Sequence, residues 1–302
     1  VFWAFLILAS VYLEAYGSLF QTGFAIPLVG RWDLLGFAQD FIAVMALVSL
    51  VVFAIIRLRQ APERLGRRSR FSGSHLGGAW LVLLMIFFVV ASMFLFRGAG
   101  AVTGNFPYGD GAFASHLVGT WLEPLGEETN ETLEHVGLLL HIGVMLVFLI
   151  IVLNSKHLHI FVAPLNVMFK RKPVALGALQ PMMAGGKPID FENIDELDED
   201  AALGVGKVED FTWKGLLDFS TCTECGRCQD QCPAWNTEKP LSPKMLIMGL
   251  RDHAFAKAPY LLADSDEERA NLSAEVIAEA ERALVGETEG DAWHPSGGAV
   301  ID

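Results

Sequence analysis

Residues 76–96 read Leu76-Gly-Gly-Ala-Trp-Leu-Val-Leu-Leu-Met-Ile-Phe-Phe-Val-Val-Ala-Ser-Met-Phe-Leu-Phe96, twenty-one positions without a single charged side chain. A run of about 20 apolar residues is what a helix needs to cross about 30 Å of hydrocarbon, and only a helix or a closed barrel satisfies its backbone there. Three further runs are predominantly apolar over a comparable length: Val1 to Phe20, Leu34 to Ile56, and Val136 to Leu153. Four transmembrane helices are therefore expected. The composition agrees, since 52% of the 302 residues are apolar while most of the net charge of −13 falls after the last run. The acidic portion lacks the clustered basic surface that phosphate backbones require, which sets nucleic acid aside as a partner.

The connections orient the bundle. Arg57, Arg59, Arg64, Arg67, Arg68 and Arg70 lie between the second and third runs, and Lys170, Arg171 and Lys172 follow the fourth. By the positive-inside rule both segments are cytoplasmic, and so is everything after them. The third connection carries Asp110, Glu123, Glu127, Glu128, Glu131 and Glu134 against Arg97 alone, and is expected to face outward. The first run has no basic flank of the signal-peptide kind and no initiator Met, and the chain closes on Gly-Gly-Ala-Val-Ile-Asp, so it reads as a piece of a longer protein.

The four cysteines decide the soluble part. Residues 222–233 read Cys-Thr-Glu-Cys-Gly-Arg-Cys-Gln-Asp-Gln-Cys-Pro, the C-x2-C-x2-C-x3-C-P spacing of bacterial ferredoxin clusters. They are too close together to staple a secreted fold. Zinc prefers two C-x2-C knuckles separated by a dozen or more residues, whereas here the pairs stand two residues apart. Cys222, Cys225, Cys228 and Cys232 are thus expected to ligate 4Fe–4S clusters, with Gly226 turning the backbone and Pro233 ending the loop. In two-cluster ferredoxins the fourth Cys serves the other cluster, which assigns Cys232 to a second cubane completed by a run beyond Asp302; the alternative is one cluster that takes all four thiolates.

His141 lies inside the fourth run and His159 follows eighteen residues later. On a continuous helix that is about five full turns and about 27 Å, so both imidazoles emerge on one face, one near each membrane surface. Two b-type haems stacked across a bilayer need axial imidazoles so arranged. His135 and His157 form the next-best pair, and a lone His at a helix end is otherwise an interfacial residue. Glu14 and Asp40 sit in the outer halves of their runs, where a quinol-oxidising site wants a proton acceptor, but carboxylates near headgroups have the same appearance.

The residues around these positions carry two resemblances. Leu140-His141-Ile142-Gly143-Val144-Met145 and His159-Ile160-Phe161-Val162-Ala163-Pro164-Leu165 resemble the last helix of the respiratory nitrate reductase gamma subunit and the cytochrome b subunits of heterodisulfide reductase, where the matching histidines bind two different haems. Trp213-Lys214-Gly215-Leu216-Leu217-Asp218 and Pro240-Leu241-Ser242-Pro243-Lys244, flanking the cysteines, are similar to iron–sulfur subunits of heterodisulfide reductase, glycolate oxidase and membrane oxidoreductases serving electron-transfer flavoprotein. In the cytochrome family the opposing haem ligands come from an early helix, which here contains no His. Candidates are a residue before Val1, His75 on the inner side, and His116 or His135 on the outer side, so that one or two haems are implied.

Together these readings give an all-α chain: a cytochrome b-like transmembrane bundle over 1–172, an acidic linker over 173–207 with seven acidic residues among the eleven from Asp190 to Asp200, and a mostly helical ferredoxin-like 4Fe–4S domain over 208–302. Within the last, Ser265 to Val285 reads as one helix with an apolar stripe. The implied role is a plasma-membrane oxidoreductase passing electrons between a soluble cytoplasmic donor, such as a flavoprotein, and quinone, from cubanes to an inner haem at His159 and an outer haem at His141. The rivals are a haem-free membrane anchor that recruits an electron-carrying partner, and a proton-coupled transporter subunit built on Glu14 and Asp40.

Overall fold

A computed structural model describes residues 2–170, 182–184, 187–193, 204–239, 241–284 and 300. Its elements are helical almost throughout. The first are α1 (Phe2–Ser18), α2 (Asp33–Arg59), a single turn α3 (Pro62–Leu65), α4 (Leu76–Thr103), α5 (Phe113–Leu122), α6 (Glu127–Leu153) and α7 (His159–Met168). A two-residue antiparallel pair, β1 (Met183–Ala184) with β2 (Lys187–Pro188), supplies the only strands among the described residues. Then come α8 (Trp213–Ser220), α9 (Arg227–Asp230), α10 (Pro233–Asn236), α11 (Pro243–Leu262), α12 (Asp266–Ala270) and α13 (Ala274–Glu281). The chain forms two compact units: Val1–Ala61 with His75–Ser155, and Pro62–Ser74 with Lys156–Asp302.

In the first unit, three helices among the described residues are long and apolar enough to cross a membrane: α2, α4 and α6. The expected fourth, α1, is a 17-residue apolar helix, about 26 Å at 1.5 Å per residue, at the lower limit for a span. The helices turn apolar side chains outward; Phe37, Phe41, Val48, Val51 and Phe53 of α2 are each about half exposed, as suits a surface solvated by lipid tails. Inward, Val11, Ala43, Val90, Met93, Phe94 and Ala114 form one core cluster, and Ala15, Leu138 and Ile142 another.

Two features of this unit depart from the sequence reading. The segment read as a plain outer loop contains α5, and α5 packs on α4 through small residues. A Cβ on Gly98 would lie 2.6 Å from the Val118 side chain, and one on Gly119 would lie 3.1 Å from the Gly98 carbonyl oxygen. Close backbone approach through glycine is a common way for helices to associate in lipid. The second departure is that α6 ends at Leu153. Asn154 caps the helix, its backbone N and its Nδ2 both donating to the Ile150 carbonyl, at 3.1 and 2.9 Å, and a 3-10 turn Lys156–Leu158 precedes α7. No continuous helix joins His141 to His159, so the shared-face argument for that pair does not hold.

In the second unit Val208, Phe219, Leu250 and Leu284 form the core, with Phe211, Leu216 and Leu246 packed on it. The expected single helix over 265–285 is two, α12 and α13, because Ser273 Oγ accepts from Val276 N and starts a new helix. Most of the acidic linker, and Val285, lie outside the described residues.

Gly98→Leu should overpack the α4–α5 contact and cost about 1–3 kcal/mol, lowering the thermal midpoint of the purified protein. Gly143→Leu is the control, since a Cβ at Gly143 meets nothing within 4 Å, and it should leave the midpoint unchanged or higher.

Candidate functional site

The cysteine run begins where α8 ends. Thr212 Oγ1 caps α8 by accepting from Gly215 N, and Cys222 N donates to the Phe219 carbonyl at 3.0 Å, closing the helix just before the loop. Cys222 and Cys225 lie on the loop, Cys228 on the single turn α9, and Cys232 immediately before Pro233 at the start of α10. All four are free thiols; Cys225 and Cys228 are exposed, and Cys222 and Cys232 half-buried.

Two left-handed residues give the loop its course, Glu224 at φ +55° and Gly226 at φ +77°. Gly226 is required on steric grounds as well, because a Cβ there would lie 2.1 Å from the carbonyl oxygen of Arg70. Glu224 has a Cβ and takes this conformation at a cost of order 1–3 kcal/mol. Its buried carboxylate offsets that cost by pairing with Lys156 Nζ at 2.6 Å and with Arg251 Nη2 at 2.9 Å.

The loop's backbone carbonyls are held by two arginines and one serine hydroxyl, from α11 and from the Pro62–Ser74 segment. Arg251 Nη1 donates to Cys222 O at 3.2 Å, Arg70 Nε donates to Cys225 O at 2.9 Å, and Ser74 Oγ donates to Glu224 O at 3.4 Å. Lys244, 1% exposed, donates to Ser74 Oγ at 2.9 Å and to the carbonyls of Arg70 and Ser72, tying the Pro62–Ser74 segment to α11. Arg67 stacks on the Trp235 ring at 3.8 Å and donates to Trp235 O at 3.2 Å. The basic segment read only as a topology signal is therefore part of the cysteine-bearing unit.

Electrostatics follow from this surround. Burial pushes the Lys244 ammonium down to about 8, against the partial compensation of Glu224 and the Cys228 and Cys222 sulfurs. Burial raises the Cys222 thiol. At Cys225 burial is outweighed by the Arg227 backbone bond, the Thr223 side chain and the charges of Arg227 and Arg70, and the thiol falls below its ordinary value.

Among the described residues no group of three or more His, Cys, Asp or Glu side chains is gathered closely enough to hold a single metal ion. The donor set nonetheless suits a polynuclear cluster. Four uncrosslinked thiols are spaced along a loop whose carbonyls are occupied by cations, and Cys222 and Cys228 open on one cleft of about 620 Å³ walled by Phe211, Phe219 and Ile247.

In the first unit His141 is 1% exposed. Its Nδ1 lies 3.1 Å from the Val89 carbonyl and 3.1 Å from Ser92 Oγ. A carbonyl only accepts, so Nδ1 carries the hydrogen and Nε2 keeps a lone pair; Nε2 is buried with no partner. An imidazole oriented through one nitrogen with the other left bare is the arrangement of a metal-ligating histidine. The remaining candidates differ. His135 and His159 spend Nδ1 on the carbonyls of Glu131 and Lys156, at 2.7 and 3.0 Å, and both are more exposed; His116 Nε2 contacts the carbonyls of Tyr108 and Gly109.

Glu14 and Asp40 are not headgroup carboxylates. They are 6% and 0% exposed and belong to a network centred on Arg97, which lies inside α4 rather than in the outer loop. Arg97 Nη1 meets Asp40 Oδ1 at 3.2 Å and Nη2 donates to Gln39 Oε1 at 2.8 Å. Gln39 Nε2 donates to Glu14 Oε1 at 3.1 Å, Tyr108 OH donates to the same oxygen, and Ser115 donates to Asp40 through both N and Oγ, at 2.7 and 2.8 Å. Glu14, Arg97, Glu134 and His135 line one narrow cleft with Phe106 and Leu138. Sequence reading missed Gln39, Arg97, Tyr108 and Ser115; Arg97 directly after an uncharged run was the available signal.

No family model and no solved structure matches the chain. Curated relatives do. It is 30% identical over 274 residues to an EtfAB:quinone oxidoreductase of Syntrophomonas wolfei subsp. wolfei, a match that covers 87% of this chain and 35% of that protein. It is 39% identical over 137 residues to a probable iron–sulfur-binding oxidoreductase, FadF, of Bacillus subtilis, covering 45% of this chain and 18% of that one. A probable membrane-anchored ferredoxin of Chromohalobacter salexigens is 37% identical over 109 residues, 34% of this chain and 16% of that one. The chain thus spans about a third of the first relative and less of the others. These relatives, a quinone oxidoreductase, an iron–sulfur-binding oxidoreductase and a membrane-anchored ferredoxin, are consistent with a membrane iron–sulfur oxidoreductase of the heterodisulfide reductase-like type.

Proposed function

We propose that this chain passes electrons between a soluble donor on the cytoplasmic side, a flavoprotein in the first instance, and quinone in the membrane. The carrying observation is the cysteine run itself: four free thiols at ferredoxin spacing, on a loop held by cations, in a chain that also contains three membrane-length helices. Cys222, Cys225 and Cys228 would hold one 4Fe–4S cluster, and Cys232 a second. The bare Nε2 of buried His141 supports a b-type haem ligand there; His159 enters as the second haem ligand on the family resemblance alone. Bound clusters and haem supply one-electron storage at each station.

What the chain's own residues contribute is electrostatic and steric. Arg70 and Arg251 sit on the carbonyls of Cys225 and Cys222, and Lys244 lies beneath the same loop; positive charge and hydrogen bonds near such a centre favour its reduced, more negative form. Ser92 and the Val89 carbonyl fix the His141 ring. Glu14 and Glu134, both on the cleft beside Arg97, are the proton acceptors that quinol oxidation would use. The EtfAB:quinone name of the first relative supports this choice of donor and acceptor.

Anaerobically purified protein should contain iron and acid-labile sulfide, give a cubane EPR signal on reduction, and show a b-type haem band. Cys225→Ser should diminish the EPR signal and leave the haem band, while His141→Ala should diminish the haem band and leave the EPR signal. A preparation with zinc and no iron would end the cluster reading, and one with clusters but no haem band would leave a membrane anchor.

The cytoplasmic placement of the C-terminal unit rests on the Arg57–Arg70 connection and the basic residues at 170–172. Trypsin should cleave next to Lys170–Lys172 in inside-out membrane vesicles and spare that site in right-side-out ones. The opposite pattern would invert the topology.

A further inference from the structure

Helix α7 carries no charged side chain, and its two faces differ sharply. At about 100° per residue, Ile160, Phe161, Leu165, Val167 and Met168 occupy one arc, and all five are exposed, from 42% at Ile160 and Phe161 to 73% at Val167. The opposite arc holds Val162, Ala163 and Asn166, each only partly exposed. Asn166 joins α7 to α8, donating to Thr221 Oγ1 at 2.9 Å and accepting from Lys214 Nζ. Phe169, 50% exposed, packs edge-on against Trp213 at 5.3 Å, and Trp213 at the start of α8 is itself 62% exposed. The apolar arc therefore continues from α7 onto the first residue of α8.

An uncovered patch of this kind calls for an occupant. Five residues separate Leu153, the last of the membrane-length α6, from His159, so the chain itself keeps α7 at the membrane boundary. Lys170, Arg171 and Lys172 follow immediately, where anionic lipid phosphates would meet them. Aromatic rings beside a basic cluster, with no carboxylate on the helix, are the composition of an interfacial helix.

We propose that α7 and Trp213 form an interfacial wedge that lies in the plane of the bilayer, its apolar arc sunk into the headgroup and upper acyl region of anionic lipid. The inference rests on the membrane reading of α2, α4 and α6. Because α8 runs from Trp213 directly into the cysteine loop, the wedge sets the depth at which Cys222 and its neighbours stand, and so acts as a positioning device for electron transfer.

The test uses the full chain in phosphatidylcholine–phosphatidylglycerol vesicles containing lipids brominated at shallow or at deep acyl positions. The emission of wild type minus that of Trp213→Phe isolates Trp213 from the other six tryptophans. Shallow bromines should quench this component and deep ones should quench it less. A Leu165→Glu, Met168→Glu double variant, whose spans are untouched, should still float with the vesicles but lose the quenching. A Trp213 component indifferent to both lipids, in protein that floats with the vesicles, would mean that a second copy or another protein covers the face, and would overturn the proposal. Failure to float at all would overturn the membrane reading and the wedge with it.

Discussion

Hydrocarbon offers a polypeptide no hydrogen bonds, and the first unit is organised by that fact. Its backbone closes its own bonds in helices, and its outer surface is left to phenylalanine, valine and leucine. Every strongly polar side chain then has to find a partner inside. Arg97 makes the point: a guanidinium 1% exposed is tolerable because Asp40 and Gln39 take its two terminal nitrogens, and Asp40 in turn takes Ser115 from α5. Gln39 passes the chain of bonds to Glu14 on α1, and Tyr108 closes it from the loop. One buried charge thereby ties α1, α2, α4, α5 and the α4–α5 loop together, and it does so by direction as well as by energy, which apolar contacts between helices in lipid supply poorly.

The same logic isolates His141. Ser92 satisfies itself on the Phe88 and Val89 carbonyls, and the His141 Nδ1–H has Val89, so the only unanswered polar atom of this group is Nε2. In a setting where unpaired polar atoms are costly, an orphan nitrogen on an otherwise fully positioned ring is information about what the ring is for. That is a stronger warrant than helical periodicity, which the break after Leu153 removes.

Much of this could be read from the sequence where the signal is additive along the chain. Long apolar runs announce α2, α4 and α6, and cysteine spacing announces the loop, because each depends on residues adjacent in sequence. The misses all depend on a third dimension. α5 is a ten-residue helix whose justification is the Gly98–Gly119 approach, invisible in a window that sees only moderate apolarity. The end of α6 at Leu153 is marked by no Gly or Pro, only by Asn154 at the C-cap. Arg97 follows an uncharged run, where charge normally belongs to a loop, and the continuation of α4 to Thr103 with the partners on α2 puts it inside the helix instead. Glu224 in a left-handed conformation has no sequence signature, since the cations that stabilise it arrive from residues 156 and 251.

The Pro62–Ser74 segment carries this furthest, because it answers to two demands at once. Its arginines are the kind of charge that the positive-inside rule counts, a demand met by charge alone and indifferent to order. Cluster support is a demand on geometry. Arg70 must present Nε to Cys225 O while its own carbonyl lies so near Gly226 that no Cβ fits, and Arg67 must lie flat on Trp235. Lysine at 67 or 70 would preserve the first function and impair the second, since an ammonium has neither the planar face for stacking nor the directed fork of a guanidinium. The preference for arginine throughout this connection therefore has a physical source beyond topology at these two positions, and Lys244, a buried amine with acceptors on the segment, makes the contact hard to leave: withdrawal would strip a nearly inaccessible charge of the carbonyls that stabilise it.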